Sequence, residues 1–76
     1  MVTPNYQRVA DDLRDQIKSG VLGPGDKLPS TAQLQAKYGV GNNAVHMAIV
    51  ILKAEGLVYG HQGKGVFVTK PEQTGQ

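Results

Sequence analysis

Two asparagines and a histidine at the head of an apolar run are the residues of this chain best equipped for chemistry. They lie in YGVGNNAVHM, Tyr38 to Met47, which also carries two glycines and no Lys or Arg. A carboxamide presents a donor and an acceptor side by side, so Asn42 or Asn43 could pair with the N6 and N7 edge of an adenine. His46 offers an imidazole that can carry a proton near neutrality. The plainer reading of the same residues is helix-start chemistry, with Gly41 as N-cap and the asparagines tolerated in the first turn. A second stretch, HQGKG from His61 to Gly65, joins two glycines that permit positive φ to one cation, Lys64. It is not a P-loop, which needs four residues between its first Gly and the Gly-Lys pair, then Ser or Thr.

Catalysis finds little support. The chain has no cysteine, and its two histidines, His46 and His61, have no evident triad partner. Asp11, Asp12, Asp15 and Asp26 fall on a helix face or in a turn, where solvated surface is the ordinary role. No catalytic, cofactor-binding or metal-binding residue is assigned, and an enzyme is not expected.

The elements that must position Asn42, Asn43 and His46 follow from periodicity. Thr3 and Pro4 form a helix entry, and Tyr6, Val9, Ala10, Leu13 and Ile17 recur at helical steps opposite a charged face. Gly20 ends that helix. Pro24 and Gly25 take the two central positions of a type II turn. Ser30 with Gln33 makes a capping-box pattern, and Pro29 and Leu34 take the staple positions, so a short helix runs from Thr31 to Tyr38. Gly39 stops it, and Val40 is buried in the turn. A third helix begins near Asn42 with Val45, Ala48, Ile49 and Leu52 on its core side, and ends at Gly56. LVYG and VFVT then read as strands joined by HQGKG. Two helices joined by a short Gly-containing turn, the second longer, form a helix-turn-helix pattern, and the glycine-tipped hairpin extends it to a winged helix. The fold class is mainly α, three helices with a small β-hairpin wing. The second helix of such a motif holds its N-terminal residues against base edges, which favours a reading role for Asn42 or Asn43 and a thymine-methyl contact for Ala44.

Composition bounds the rest. At 76 residues the chain is a single small domain. A net charge of +2 and a pI near 9.1 suit a domain that meets phosphates through a few cations. No stretch approaches a membrane span or a signal peptide, so a cytoplasmic location with no membrane contact is expected. If Lys27, Lys37, Lys53 and Lys70 met phosphates, log K would fall with log salt at a slope of roughly −3.6 per half-site. Met47, Val50, Ile51 and Ala54 fall on the side of the third helix away from Val45, Ala48, Ile49 and Leu52. They are either wrapped by the first helix and the N-terminal segment or form a partner surface. That surface favours a rival function, a winged helix used as a protein-interaction module.

The ordered motifs carry a resemblance. Tyr6, G.L.PGDKLPS from Gly20 to Ser30, L..KYGV from Leu34 to Val40, AV..AI..L..EGLV from Ala44 to Val58 and QGKGVFV from Gln62 to Val68 resemble the N-terminal winged-helix domain of GntR-type bacterial transcription regulators. The resemblance covers roughly residues 6 to 69 and divides the chain into a DNA-binding domain at 1–69 and a flexible tail or linker start at 70–76. It implies a third helix in the major groove, a wing on the backbone or minor groove, and a homodimer on a palindromic operator in double-stranded DNA. It also implies a repressor or other regulator whose small-molecule effector binds a domain absent from this chain. The DNA contacts it implies are Ser30, Thr31 and Ala32, then Gly41, Asn42, Asn43, Ala44 and His46, then Gln62, Gly63 and Lys64. The chain departs from the family pattern at Ala32, at Gly41 to Ala44 and at His46, where Ser, Thr and Arg are usual, so its operator sequence is its own.

Overall fold

The computed structural model describes residues 5–70. Three helices come first, α1 (Asn5–Ser19), α2 (Thr31–Tyr38) and α3 (Asn42–Ala54), followed by strands β1 (Val58–His61) and β2 (Gly65–Val68). This is the winged helix expected. The helix entry at Thr3 and Pro4 and the tail beyond Lys70 lie outside the described residues.

The core forms where the helical stripes meet. Val9, Ala10 and Leu13 of α1 and Val45, Ala48 and Leu52 of α3 are buried, with Leu34 of α2, Leu28, and Val58 and Val68 of the hairpin completing one cluster. α1 and α2 both pack on α3, which makes α3 the central element of the domain. Val40, expected to be buried, is only partly buried against this cluster.

The joints are built by local chemistry. In the turn before α2 the Asp26 amide donates to the Gly23 carbonyl at 3.0 Å, with Gly25 at φ 83, which fits the type II geometry read from Pro24 and Gly25. The Asp26 carboxylate also accepts from the Gly23 amide at 2.8 Å. α2 opens with both halves of the capping box: the Gln33 amide donates to Ser30 Oγ at 3.2 Å, and the Ser30 amide donates to Gln33 Oε1 at 2.8 Å. Gly39 closes α2 in the left-handed conformation, φ 64.

The sheet holds a rung that the sequence did not disclose. β1 and β2 pair antiparallel, with Val58 opposite Val68 and Tyr59 opposite Phe67. Each strand is displaced from its expected span by one residue. The segment leaving the type II turn then joins the free edge of β2. The Gly25 amide donates to the Val68 carbonyl, the Val68 amide to the Asp26 carbonyl, and the Leu28 amide to the Val66 carbonyl, at 2.8–2.9 Å, and Lys27 bridges Phe67. These bonds fix the start of α2 to the wing. Tyr59 and Phe67 stack on the outer face with centroids 5.9 Å apart.

A charged clasp ties α1 to the end of α3. Arg14 donates from Nε and Nη2 to the two oxygens of Glu55, at 2.8 and 2.7 Å, and from Nη1 to Asp11 at 2.7 Å. The Arg14 hydrogen bonds hold both carboxyls below their usual range. Groups with depressed folded values contribute stability above the unfolded value and lose it as pH falls through the folded one. Both carboxylates are well exposed, so the effect is small. The expected result is that Arg14→Met lowers the urea midpoint at about pH 7 and loses less than the parent between about pH 5 and pH 3; parallel acid limbs would contradict it. Beside this clasp on α1, Asp12 accepts from the Tyr38 hydroxyl of α2. Burial first, and then Asp12, push that phenol up to about 12.

Candidate nucleic-acid interface

The start of α3 is presented bare. Gly41 supplies the N-cap from an extended conformation and makes no side-chain cap, so the first-turn amides of α3 have no side-chain acceptor. Asn42, Asn43 and His46 are exposed, and Ala44 is half-buried. No side-chain hydrogen bond engages either asparagine among the described residues. Two carboxamides with unused donors and acceptors thus stand on the leading turn of a helix.

Their neighbours are set by the helical step. Asn42, His46, Ile49 and Lys53 follow at intervals of four, three and four, and this stripe faces the wing. It forms one wall of an open groove of ≈ 380 Å³. Ser30 and Thr31 at the head of α2 and Lys27 on the added rung form the other wall, and Gly65 and Val66 lie at the base of the wing. Four residues of the implied contact set, Ser30, Thr31, Asn42 and His46, are therefore brought to one groove. Ala32, Gly41, Asn43 and Ala44 lie outside its lining, Ala32 and Asn43 on exposed surface. Gln62, Gly63 and Lys64 form the exposed wing tip, where the Lys64 amide donates to the His61 carbonyl at 2.9 Å and Gly63 has φ 80.

Lys27 and Lys53 emerge as a pair that sequence reading left among undifferentiated surface cations. Lys53 Nζ lies 3.2 Å from where a Cβ on Gly60 would sit, and Lys27 Cε lies 2.8 Å from the same point on Gly65. The bare backbone of the wing gives both side chains room to lie across it. The spacing from His46 to Lys53, seven residues, held the signal for one of them. Lys37 stands elsewhere: its ammonium lies 5.4 Å from the Tyr38 ring centroid, at the far end of α2 from Ser30.

The apolar side of α3 divides differently from the expectation. Ile51 is partly buried and packs against the core, because α1 covers that side of α3. Met47 and Val50 are exposed, at 45% and 43%, and Ala54 is exposed as well.

The profile described as bacterial regulatory proteins of the gntR family matches residues 5–68. The chain belongs to the GntR family. Its curated relatives include the HTH-type transcriptional repressor NagR of Bacillus subtilis, 38% identical over 69 residues, which cover 91% of this chain and 28% of NagR. The histidine utilization repressor of Klebsiella aerogenes is likewise 38% identical over 69 residues, covering 91% of this chain and 29% of its own length. The chain thus spans less than a third of these GntR-family regulators. Among solved structures, the AraR DNA-binding domain in complex with operator ORR3 superposes with a TM-score of 0.87 at 32% identity, covering 91% of this chain and 83% of that one. The fold is therefore that of GntR-family DNA-binding domains. Among the described residues no helix is long and apolar enough to cross a membrane, and no group of three or more His, Cys, Asp or Glu is placed to hold a metal.

Proposed function

We propose that this domain reads duplex DNA for a bacterial transcription regulator, with α3 in the major groove and the wing against the flanking backbone. The observation that carries this is the convergence of the α2 cap, the uncapped start of α3 and two lysines on one open groove. The amides at the head of α2 suit a phosphate, because helix N-termini favour anions. Lys27 and Lys53 add charge on either side of it, and Lys64 extends that charge to the wing tip. Asn42 or Asn43 then reads an A·T pair, while His46, lining the groove beside Lys53, meets a phosphate. The AraR DNA-binding domain, which shares this fold, forms complexes with its operators, and this supports duplex DNA as the partner.

The repressor role follows the names of the relatives, and the rest of the reading follows the family resemblance. Two copies occupy a palindromic operator in the cytoplasm, the full protein acts as a repressor, and a small-molecule effector acts through the portion of those relatives that this chain does not span. Binding by the domain alone is then weak, since linkage between half-sites supplies much of the affinity. A protein-interaction module is the second reading, favoured by the exposed Met47 and Val50 on an α3 free of arginine.

Salt separates the two. With Lys27, Lys53 and Lys64 on phosphates, three counterions at about 0.9 each give a slope of log K against log salt of roughly −2.7 per half-site. Lys37, at the far end of α2, and Lys70, which lies against Gly25 of the turn, are left out and Lys64 is added, so three lysines give a shallower slope than Lys27, Lys37, Lys53 and Lys70 together would. A slope near zero, or no retardation of duplex DNA at all, contradicts the DNA reading.

A further inference from the structure

We infer that Met47 and Val50 read thymine methyl groups, as an apolar extension of the asparagine reading turn. The inference rests on the DNA-reading function proposed above. Asn43, Met47, Val50 and Ala54 follow at intervals of four, three and four, so they form a single stripe parallel to the groove-facing one. That stripe lies roughly opposite the buried Val45, Ala48 and Leu52, at about 100° per residue, and points directly away from the core. It is therefore continuous with the proposed DNA face and is not a separate back face of the helix.

Two of the three large hydrophobic side chains exposed among the described residues, Met47 and Val50, sit on it. Val50 has no hydrogen-bonding group and Met47 only a weakly accepting thioether, while the only apolar group a B-DNA major groove offers is the C5-methyl of thymine. From Asn43 to Val50 the helix rises roughly 10 Å, about three base-pair steps at 3.4 Å. A short run of A·T pairs matches the stripe, with an adenine for Asn43 and thymine methyls for Met47 and Val50.

The test uses a duplex selected by the domain from a random pool, remade with each core thymine replaced by deoxyuridine, which removes the methyl and keeps the base pair. The wild-type domain is expected to lose about fourfold in affinity for each methyl it contacts, the equivalent of one buried methylene. Met47→Ser combined with Val50→Ser should bind the thymine duplex more weakly and no longer distinguish it from the deoxyuridine duplex. Helical circular dichroism checks that the variant is folded, and Met47→Leu should restore much of the discrimination. Equal wild-type affinity for both duplexes, or an unchanged ratio in the double Ser variant, overturns the inference while the DNA reading stands. A free dimer that dissociates on the double Ser change, with the thymine preference intact, also overturns it and assigns the stripe to a second copy. Failure to select any duplex defeats the underlying DNA reading, and this inference with it.

Discussion

Replacing Asn42 and Asn43 together with Ala is expected to leave a folded domain that still binds DNA but loses most of its choice of sequence. Both side chains are exposed and make no hydrogen bond within the domain, so their removal leaves no buried group unsatisfied. Ala is the stronger helix former, and Gly41 still supplies the cap. What disappears is the paired donor and acceptor on the leading turn. A bidentate amide–adenine pairing carries roughly 1–3 kcal/mol of discrimination, so preference for a selected duplex over a scrambled one should fall by roughly five- to 150-fold for each asparagine that reads a base. The salt-dependent affinity from Lys27, Lys53 and Lys64 should persist, because phosphate contacts position the protein without reading sequence. The measurement is the ratio of dissociation constants for the two duplexes at fixed salt. An unchanged ratio would place the reading function outside this turn.

Leu34→Ala is the second large effect, and it acts through the fold. Leu34 is fully buried and is the only buried residue of α2, so it anchors the helix whose cap lines the groove. Truncating a buried Leu costs about 2–5 kcal/mol, depending on how far the site collapses. A domain of this length has a total stability of roughly 4–11 kcal/mol. The substitution should take away from about a fifth of the urea midpoint to all of it, leaving the domain unfolded at room temperature in the last case. Leu52, equally buried in α3, should behave alike. Val21→Ala is the control: at 71% exposure it should stay within about 0.5 kcal/mol of the parent. A midpoint unchanged by Leu34→Ala would mean that α2 is not held by its one buried side chain.

Much of this architecture was legible because its signals are local. A Ser three residues before a Gln specifies a reciprocal cap, and Pro-Gly specifies a turn. Both form as read at Ser30 and Pro24. The third rung of the sheet was not legible, since Lys27 and Leu28 lie between a turn and Pro29 in a segment too short to show alternation. The groove shows a different limit. Periodicity gives the angle of each residue on α3 but not what covers that angle. Ile51 and Met47 both pointed away from Val45 in the sequence, yet α1 covers one and leaves the other in water. Lys27 and Lys53 reach the groove across two wing glycines, Gly65 and Gly60, whose backbone carries no side chain to exclude them.

The central claim is that the first turn of α3 selects sequence in duplex DNA. Its most direct test is selection of bound duplexes from a random pool, run in parallel with the wild-type domain and the Asn42→Ala, Asn43→Ala variant. The wild type is expected to enrich a short motif containing A·T pairs, and the variant to retain duplexes with no more than a weak thymine bias in place of that motif. The same motif from both proteins, or no enrichment with the wild type, would contradict the claim.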